Sequence, residues 1–478
     1  MSILDELRAA IGAAHVLTGD DTAPWARDWV GKYESTPLAV LRPGSTHEVS
    51  QIMALAQDHA VPVVPVSGNT GLSGGAQARD GSLLLSLARM NRIRDIKSYA
   101  RLAVVDGGVV LEALHDASAE HGLRFPMTFG AKGSCMIAGM LATNAGGSNV
   151  LKFGNMRALC LGIEAVLPGG EILDLMSELH KDNSGYDLRN LLIGSEGTLA
   201  VITGAVLKLV PEPGARATAM IAVDKLSTAL SVLNRLLEVT GSGVEAFEYM
   251  PGSYLDALVE KRPDLRPPFE NHHQINILTE IASNAPRDVN LAADGSQPLT
   301  TYLEDVLVGF MEDGTVLDAV IAHNDTQRTE MWERREAAAE VVLGRQPLVN
   351  NDIALPLDRV EAFLDRMGDE LAKLDPNAEV LEVAHLGDGN IHYAVFPSDA
   401  ALCDPIMERV EDVVRDMGGS FSAEHGIGLS KLPSMQRRKD PVALTVMRQI
   451  KRALDPKGIM NPGKVLPRLS QTHDELPL

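Results

Sequence analysis

GAKGSCMIAGMLATNAGG, residues 130–147, holds one charge, five glycines and four alanines in eighteen positions. A segment this poor in side chains cannot fill a core by itself. It does let the backbone come close to something flat and bulky, because glycine tolerates positive φ and alanine adds only a methyl group. Two interpretations follow: a lining for a large cofactor, or a tightly packed crossing of helices.

The size and charge of the chain narrow the classes of protein around this stretch. At 478 residues it exceeds the ~250 to 300 at which a single core stops growing, which predicts two domains or more. A hydrophobic content of 45% is ordinary for a globular protein. The formal net charge of −21 argues against a nucleic-acid-binding protein, which would present a basic face.

Cysteine usage and hydropathy predict a cytoplasmic protein. Cys135, Cys160 and Cys403 form no CxxC pair, so they predict neither a disulfide framework nor a zinc ribbon. The N-terminal MSILDELRAAIGAAHV is acidic where a signal peptide is basic, and no run approaches the ~18 apolar residues of a membrane span. We therefore expect a soluble protein without a transmembrane segment, with peripheral docking at the inner face of a membrane left open.

A second glycine-rich segment, PVSGNTGLSGGA, follows an apolar strand. Gly68, Gly71 and Gly74 are spaced three apart, and a hydroxyl residue precedes each. Such a turn presents successive backbone N–H groups to one centre, as a phosphate cradle does. The segment is neither a nucleotide P-loop, since no Gly-Lys-Ser/Thr follows, nor a dinucleotide GxGxxG. A flexible surface loop is the alternative.

A Pro/Gly break at residues 211–214 marks the predicted boundary between two domains. Before it, apolar periodicity predicts a helix over 46–60 with Thr46 as its N-cap. Beyond it, strands alternate with long helices, among them a helix over 325–343. This alternation predicts an α+β unit built on βαβ steps.

Three histidines and a carboxylate mark the second half. Residues 380–396, VLEVAHLGDGNIHYAVF, predict two strands joined by a Gly-Asp-Gly-Asn turn, with His385 and His392 at its mouth. These imidazoles are either a pair of metal ligands or histidines satisfied by local hydrogen bonds. Glu424 and His425, in SAEHGIG, favour the metal, because two histidines and one carboxylate leave positions open for substrate.

Six motifs in a fixed order carry a family resemblance: PVSGNTGLSGGA, GAKGSCMIAGMLATNAGG, GYDLRNLLIGSEGTLAVIT, AHLGDGNIH, SAEHGIG and NPGK. With them the chain resembles, from about Ala39 to Leu466, the flavin-dependent D-2-hydroxy acid dehydrogenases of the vanillyl-alcohol oxidase fold. That group holds D-lactate, D-2-hydroxyglutarate and glycolate dehydrogenases. The resemblance implies an α+β, two-domain fold. A PCMH-type FAD-binding domain would span 1–212, a ferredoxin-like βαβ substrate and metal domain 213–454, and a C-terminal segment, 455–478, would return to the FAD domain.

The resemblance also implies where FAD binds. The glycine-rich loop at residues 65–75, which comes first in the chain and which we call the first glycine loop, would wrap the pyrophosphate. Residues 130–147 would line the dinucleotide and the flavin. A turn at residues 196–202 would lie near the adenine and ribose, and the C-terminus would return to the flavin. The implied cofactor residues are Pro65, Ser67, Gly68, Asn69, Thr70, Gly71, Ser73, Gly74, Gly133, Ser134, Cys135, Gly139, Thr143, Asn144, Gly147, Glu196, Thr198, Ile202 and Asn461. Relatives that attach FAD covalently use a histidine in the first loop, and this chain has none there, so we expect non-covalent FAD.

For the chemistry, the resemblance places a divalent metal, Zn, Mn or Fe, on His385, His392 and Glu424, and makes His425 the base. A metal lowers the pKa of bound water by on the order of 8 units, which is a ceiling for an alcohol held the same way. His425 would take the hydroxyl proton while hydride passes from the substrate C2 to the flavin. Arg335, in MWERRE, matches the arginine that holds the substrate C1 carboxylate.

Two alternatives to a role of Arg335 in binding the C1 carboxylate stay open. On its residues alone, Arg335 reads as a solvated charge on a helix that also carries Glu333, Arg334 and Glu336. Arg334 is adjacent and is the other candidate for the carboxylate.

Departures from the D-2-hydroxyglutarate branch bear on the substrate. That branch uses a threonine and a lysine to bind the distal carboxylate of the substrate, and this chain has Ala339 and Asn350 at those positions. That branch also has an asparagine two positions after the second metal histidine, where this chain has Ala394. Loss of a charge-assisted bond costs ~1.5 to 3 kcal/mol, or about ten- to hundredfold in affinity. We therefore expect D-lactate or another monocarboxylate, with D-2-hydroxyglutarate as the alternative if Arg334 or Arg345 restores a distal cation.

Two other classes of protein compete with a free-standing dehydrogenase. A zinc hydrolase would use the metal site alone and leave the glycine segments unexplained. A flavin subunit of a glycolate oxidase complex would rely on partner chains for electron delivery. As a dehydrogenase, the chain would form a homodimer and pass electrons from a small 2-hydroxy acid to a quinone, an electron-transferring flavoprotein or a cytochrome.

Overall fold

Two main sheets organise the first half of the computed structural model, which describes residues 2–293 and 295–468. Short strands alternate with short helices there, and turns rich in glycine join them. The strands are β1 Val16–Leu17, β2 Ala39–Leu41, β3 Val63–Val66, β4 Leu83–Ser86, β5 Ile93–Lys97, β6 Leu102–Asp106, β7 Leu123–Arg124, β8 Cys160–Val166, β9 Ile172–Leu175, β10 Val201–Lys208 and β11 Val210–Pro211. The helices are α1 Ile3–Ile11, α2 Thr46–His59, α3 Leu111–Ala119, α4 Ile137–Thr143, α5 Val150–Phe153, α6 Met156–Leu159 and α7 Leu188–Leu192.

The two sheets of this half differ in strand direction. One has the order β1-β2-β4-β3, in which β4 pairs parallel to both β2 and β3. The other, β5-β6-β10-β8-β9, is antiparallel throughout. Their apolar faces share one core, to which the C-terminal residues Ile459 and Met460 also belong.

A single seven-stranded sheet organises the second half, in the order β15-β12-β14-β13-β17-β18-β16. All its pairings are antiparallel. The strands are β12 Ala215–Val223, β13 Val244–Pro251, β14 Ile275–Ser283, β15 Asp318–Ile321, β16 Val349–Ala354, β17 Glu379–His385 and β18 Asn390–Phe396. The helices are α8 Leu226–Val239, α9 Gly252–Lys261, α10 Pro286–Val289, α11 Pro298–Glu312, α12 Asp325–Glu336, α13 Ala338–Leu343, α14 Val360–Leu374, α15 Cys403–Asp416, α16 Leu432–Arg438 and α17 Pro441–Leu454. Short 3₁₀ helices lie at Ala13–His15, Gly19–Trp25, Leu357–Arg359 and Ala400–Leu402.

The two faces of this sheet are packed differently. One face packs on α8, α11, α14 and α15 and forms a large apolar core. The opposite face carries α9, α12 and α13 over a smaller apolar cluster, and its strands also bear buried polar side chains. The predicted boundary at 212/213 falls between the two main cores and stays a prediction.

Local sequence signals place most helix ends correctly, with two corrections. The N-cap of α2 is Ser45, whose hydroxyl accepts from the N–H of Glu48, so the prediction of Thr46 was wrong by one residue. The helix predicted over 325–343 is two helices, because the chain breaks at Ala337. The break follows directly after the end of α12, whose Arg335 contacts Glu248 on the sheet.

The C-terminal chain returns to the first half. The N–H of Val63 donates to the carbonyl of Ile459 at 2.8 Å, and the N–H of Asn461 donates back to Val63 at 2.8 Å. Residues 459–461 thus pair with the edge strand β3, while residues 469–478 of the predicted segment, 455–478, lie outside the described residues. No helix among the described residues is both long enough and apolar enough to cross a membrane.

Candidate active site

The two glycine-rich segments of the first half lie directly against each other. A β-carbon on Gly68 would sit 2.2 Å from the carbonyl oxygen of Ser134, and one on Gly139 would sit 3.1 Å from the β-carbon of Ser67. Side chains at these positions would push the segments apart. The backbone is therefore bare where both segments meet, which fits a cradle for a flat group.

Two more predicted cofactor segments join this place. The N–H of Glu196 donates to the carbonyl of Ala142, at the end of α4, at 2.8 Å. The side chain of Asn461 donates from Nδ2 to the carbonyls of Gly75 and Glu196, at 3.0 and 2.8 Å. The other polar atom of this amide, Oδ1, is buried and lacks a hydrogen-bond partner among the described residues. Because a buried acceptor without a donor is costly, a bound group with an N–H or O–H fits here.

The remaining predicted cofactor residues line the same segments. Asn69 and Asn144 have positive φ, and burial raises the pKa of the Cys135 thiol to about 12. Thr198 lies in the turn after Glu196, where Lys451 donates to its carbonyl at 2.7 Å. Ile202 is buried at the start of β10. Pro65, Ser67, Thr70, Gly71, Ser73 and Gly74 lie in β3 or the loop after it, and Gly133, Gly139, Thr143 and Gly147 lie in or beside α4.

The hairpin of β17 and β18 brings two imidazoles together. His385 ends β17 and His392 lies on β18, in the register that pairs His385 with Asn390. Their ring centroids are 5.4 Å apart and the rings are nearly perpendicular. The positive φ of Gly389 makes this tight turn, and a β-carbon there would lie 2.2 Å from the carbonyl of Leu355. The predicted hairpin with both histidines at its mouth is present.

A loop at residues 420–430, which we call the base loop, adds Glu424 and His425 to these rings. The rings of His392 and His425 stack with centroids 5.6 Å apart. An oxygen of Glu424 lies 3.6 Å from Nε2 of His392 and 3.9 Å from Nε2 of His425. All four predicted metal and base residues thus lie in one cluster.

The sequence analysis missed Asp352, the carboxylate that holds the base loop in place. This residue of β16 is 1% exposed, and its Oδ2 accepts from the N–H groups of Ala423, Glu424 and His425 at 3.2, 3.0 and 2.8 Å. Its Oδ1 accepts from Asn390 at 3.0 Å, and Oδ2 lies 3.6 Å from Nδ1 of His425. Burial alone would raise the pKa of Asp352, but the neighbouring His425 and backbone donors hold it well below its usual range.

Arg335 reaches the cluster from α12, and Arg334 does not. The side chain of Arg335 is buried, and its Nη2 lies 3.4 Å from Nδ1 of His385. Arg334 turns the other way and donates to the carbonyls of Arg266 and Glu330, at 2.8 Å each. The structure therefore favours Arg335 over its neighbour as the cation of this site.

A second missed carboxylate, Glu248 on β13, lies under Arg335 and His385. It is fully buried, and its two oxygens lie 2.9 and 2.8 Å from Nδ1 of His385. Burial opposes ionisation of His385, but the Glu248 carboxylate outweighs it and raises the pKa of that imidazole. At His392, burial and the nearby His385 push the pKa well below its usual range, which favours the neutral form that binds metals.

Both missed residues left a weak signal in the sequence. Glu248 stands in VEAFEYMP, which carries a second charge at Glu245, and Asp352 follows two asparagines in VNNDIALP, so each carboxylate lies in a strand that also has apolar residues. A charge in such a run is costly unless it is paired, so it points to a partner across the sheet. The partner itself cannot be read from the pattern.

One group of side chains could hold a metal ion. Ligand atoms of Asp352, His392, Glu424 and His425 lie within 4.8 Å of one another. Asp352 already accepts four hydrogen bonds, which leaves it little capacity as a ligand. His385 lies beside this group with Nδ1 held by Glu248, and Nη2 of Arg335 lies 3.5 Å from its Nε2. The group within 4.8 Å contains His425 and Asp352 and leaves out His385, so the predicted set of His385, His392 and Glu424 has the donor types of a zinc site and stays a prediction.

The metal cluster and the glycine segments touch. A β-carbon on Gly146 would lie 3.0 Å from a carboxylate oxygen of Glu424. On the far side of the base loop, both oxygens of Glu196 accept from the N–H groups of Ile427 and Gly428, at 2.7 Å each. The two halves of the chain therefore meet at one place, where side-chain-poor backbone faces imidazoles and a carboxylate.

Comparisons with known proteins agree with this arrangement. The family profile described as "FAD linked oxidases, C-terminal domain" matches residues 212–465, and "FAD binding domain" matches residues 37–176. The chain is 36% identical over 476 residues to a D-2-hydroxyglutarate dehydrogenase of Xanthomonas citri pv. viticola, which covers 98% of this chain and 97% of that protein. It is 36% identical over 443 residues to the mitochondrial D-2-hydroxyglutarate dehydrogenase of Bos taurus, covering 92% and 79%.

A solved structure shows the same fold at much lower identity. The structure of p-cresol methylhydroxylase with substrate bound superposes with a TM-score of 0.73 at 14% identity, covering 97% of this chain and 96% of that one. The predicted family, the PCMH-type α+β fold and FAD as cofactor are confirmed. The chain therefore belongs to the FAD-linked oxidases and is an FAD-dependent oxidoreductase of the D-2-hydroxy acid dehydrogenase group.

Proposed function

We propose that the chain oxidises D-2-hydroxyglutarate to 2-oxoglutarate. The two relatives described above are D-2-hydroxyglutarate dehydrogenases, and their similarity to this chain favours this substrate over the D-lactate expected from the sequence. The geometric observation that carries the proposal is the convergence of Arg335, His392, Glu424 and His425 beside the bare backbone at Gly146. This arrangement offers a cation for a carboxylate and a base for a hydroxyl beside glycine-rich backbone.

Each side chain has a task in this reaction. Arg335 binds the C1 carboxylate through guanidinium donors and so fixes the substrate C2. His425 takes the proton of the 2-hydroxyl group, and Asp352 orients its ring from the Nδ1 side. His385, His392 and Glu424 would hold a divalent metal, which lowers the pKa of a hydroxyl group that binds it. FAD, when bound, accepts the two electrons that leave C2 as hydride.

The proposal includes how the cofactor is held and where the electrons go. FAD is bound without a covalent link, because the first glycine loop has Asn69 and no histidine. A quinone, an electron-transferring flavoprotein or a cytochrome then takes the electrons, as the family resemblance implies. Denaturation with acid tests the first point, since non-covalent FAD is released into the supernatant.

D-lactate is the second candidate, on one specific observation. Ala339 and Asn350 replace the threonine and lysine expected for a distal carboxylate, and both side chains are exposed. Arg345, which the sequence offered as a substitute cation, pairs with Glu379 and stacks on Phe396 at 4.1 Å. A substrate without a second carboxylate needs none of these cations.

Anaerobic flavin reduction separates the candidates. The FAD-loaded protein is mixed with D-2-hydroxyglutarate, its L-isomer and D-lactate, before and after chelation, and bleaching of the flavin is followed in a single turnover. We expect the fastest reduction with D-2-hydroxyglutarate and a large loss on chelation. Faster reduction by D-lactate would select the second candidate, and reduction by neither D-acid would overturn the proposed function.

A further inference from the structure

Glu248 is a buried carboxylate that joins two groups of the proposed site. Its side chain is 0% exposed on β13, in the middle of the second-half sheet. One oxygen lies 2.9 Å from Nδ1 of His385, and the other accepts from Nε of Arg335 at 2.8 Å. Burying a carboxylate is costly unless it is paired and hydrogen-bonded. Arg335 and His385 therefore stabilise the buried negative charge of Glu248.

The contact with His385 fixes the state of that ring. With its Nδ1–H donated to Glu248, the imidazole carries its lone pair on Nε2, which lies 3.5 Å from Nη2 of Arg335. A carboxylate on the far nitrogen both orients a ligating histidine and raises its basicity. Glu248 therefore prepares His385 to bind a cation through Nε2.

The contact with Arg335 fixes the direction of the guanidinium. Glu248 engages the Nε edge, and an arginine carries four further N–H donors on its terminal nitrogens. A side chain with this many rotatable bonds loses much conformational freedom when it binds a carboxylate. The pairing with Glu248 has already restricted that freedom before a substrate arrives.

We infer that Glu248 is a positioning residue that aligns the metal ligand His385 and the carboxylate anchor Arg335 together. This inference rests on the proposed function, because it assigns both partners the tasks given above. One carboxylate then sets the spacing between the cation that binds the substrate hydroxyl and the arginine that binds its C1 carboxylate.

The chain offers a matched control on the same helix. Glu280, on the neighbouring strand β14, is 3% exposed and accepts from Arg328 of α12 at 2.7 and 2.8 Å. It also accepts from Trp332 and Thr218, at 3.0 and 2.7 Å, and not from an imidazole. Glu280 thus anchors α12 to the sheet as Glu248 does, without contact to the proposed metal ligands.

The experiment compares Glu248→Gln with Glu280→Gln in the FAD-loaded protein. Both proteins are stripped with a chelator and titrated with Zn²⁺, and their melting temperatures and flavin content are recorded. We expect Zn²⁺ to bind Glu248→Gln about 10- to 100-fold more weakly than wild type, while Glu280→Gln binds it normally. We also expect a higher KM for D-2-hydroxyglutarate in Glu248→Gln alone, because Arg335 loses the negative charge of its partner.

Unchanged Zn²⁺ affinity in Glu248→Gln would overturn the inference, and so would an equal loss in both variants, which would mean that anchoring α12 is what matters. If Glu248→Gln does not fold, Glu248→Asp replaces it, since the charge is kept but withdrawn by one methylene. Weaker Zn²⁺ binding in that variant supports the inference, and wild-type binding overturns it. Failure of the proposed metal site looks different, because wild type and His385→Ala would then bind Zn²⁺ alike.

Discussion

Replacement of Glu196 by alanine is expected to loosen the base loop and leave FAD binding intact. The sequence resemblance assigned Glu196 to the adenine and ribose side of the cofactor. That assignment stays a prediction, and in the structure its carboxylate accepts from the N–H groups of Ile427 and Gly428 at 2.7 Å each, two and three residues after His425. Burial raises the pKa of Glu196, and these two donors act against that rise.

The size of the effect follows from the two hydrogen bonds. Each buried N–H that loses its acceptor costs ~1 to 3 kcal/mol, which corresponds to about a 5- to 150-fold increase in the local opening constant. Hydrogen exchange at the amides of Ile427 and Gly428 should accelerate by that factor in Glu196→Ala. The turnover number should fall as well, because a more open base loop would hold the His425 ring less often in the orientation that takes the substrate proton.

Amide exchange and FAD titration together distinguish the two tasks of Glu196. In Glu196→Ala we expect faster exchange in the base loop and an FAD dissociation constant close to that of wild type. Glu196→Gln is the control, since its remaining carbonyl oxygen keeps one acceptor and should give a smaller change. Weaker FAD binding with unchanged exchange at residues 427 and 428 would refute this reasoning and restore the assignment to the cofactor.

Three further outcomes test other parts of the structure. Ala339→Thr with Asn350→Lys should raise kcat/KM for D-2-hydroxyglutarate relative to D-lactate by about ten- to hundredfold, and an unchanged ratio would contradict a distal-carboxylate role for these positions. Gly68→Ala should lower the ratio of bound FAD to protein, measured by absorbance, and cost ~1 to 3 kcal/mol in unfolding free energy, since the new β-carbon would meet the Ser134 carbonyl at 2.2 Å. Burial raises the pKa of Glu382 to about 7 from its ordinary 4.5, so the folded protein keeps a proton that the unfolded chain has lost. The unfolding free energy should therefore fall between about pH 4.5 and 7 by at most ~3 kcal/mol, and urea denaturation across this range should show a smaller fall for Glu382→Gln.

Sequence patterns predicted the elements of this fold better than their pairing. The helix predicted over 46–60 and the hairpin around residues 380–396 have strong local periodicity, and both lie where the pattern predicts them. The strands β13 and β16 were not predicted, because each carries charges at positions that usually read as solvent-exposed. These charges face buried partners from distant parts of the chain, which a local pattern cannot encode.

The candidate site shows the same limit. His385, His392, Glu424 and His425 stand in glycine-flanked motifs, so the residues of the cluster could be named from sequence. Glu248 and Asp352 could not, because their partners lie 137 and 73 residues away in the chain. Arg335 was distinguished from Arg334 only once the end of α12 was seen to turn one side chain toward Glu248.

The base loop is held by acceptors from both halves of the chain, and this has a consequence for how the site forms. Asp352 accepts from the N–H groups of residues 423–425, Glu196 accepts from those of residues 427 and 428, and the carbonyl of Ser73 accepts from Leu429 at 2.8 Å. Gly428 has positive φ, and a β-carbon there would lie 2.1 Å from the Ser73 carbonyl, so the loop and the first glycine segment are in direct contact. Neither half alone supplies all of these acceptors, so the loop that carries His425, the proposed base, is fully held only when the two halves are packed together. We therefore expect the placement of the proposed base to depend on the folding of the FAD-binding segments.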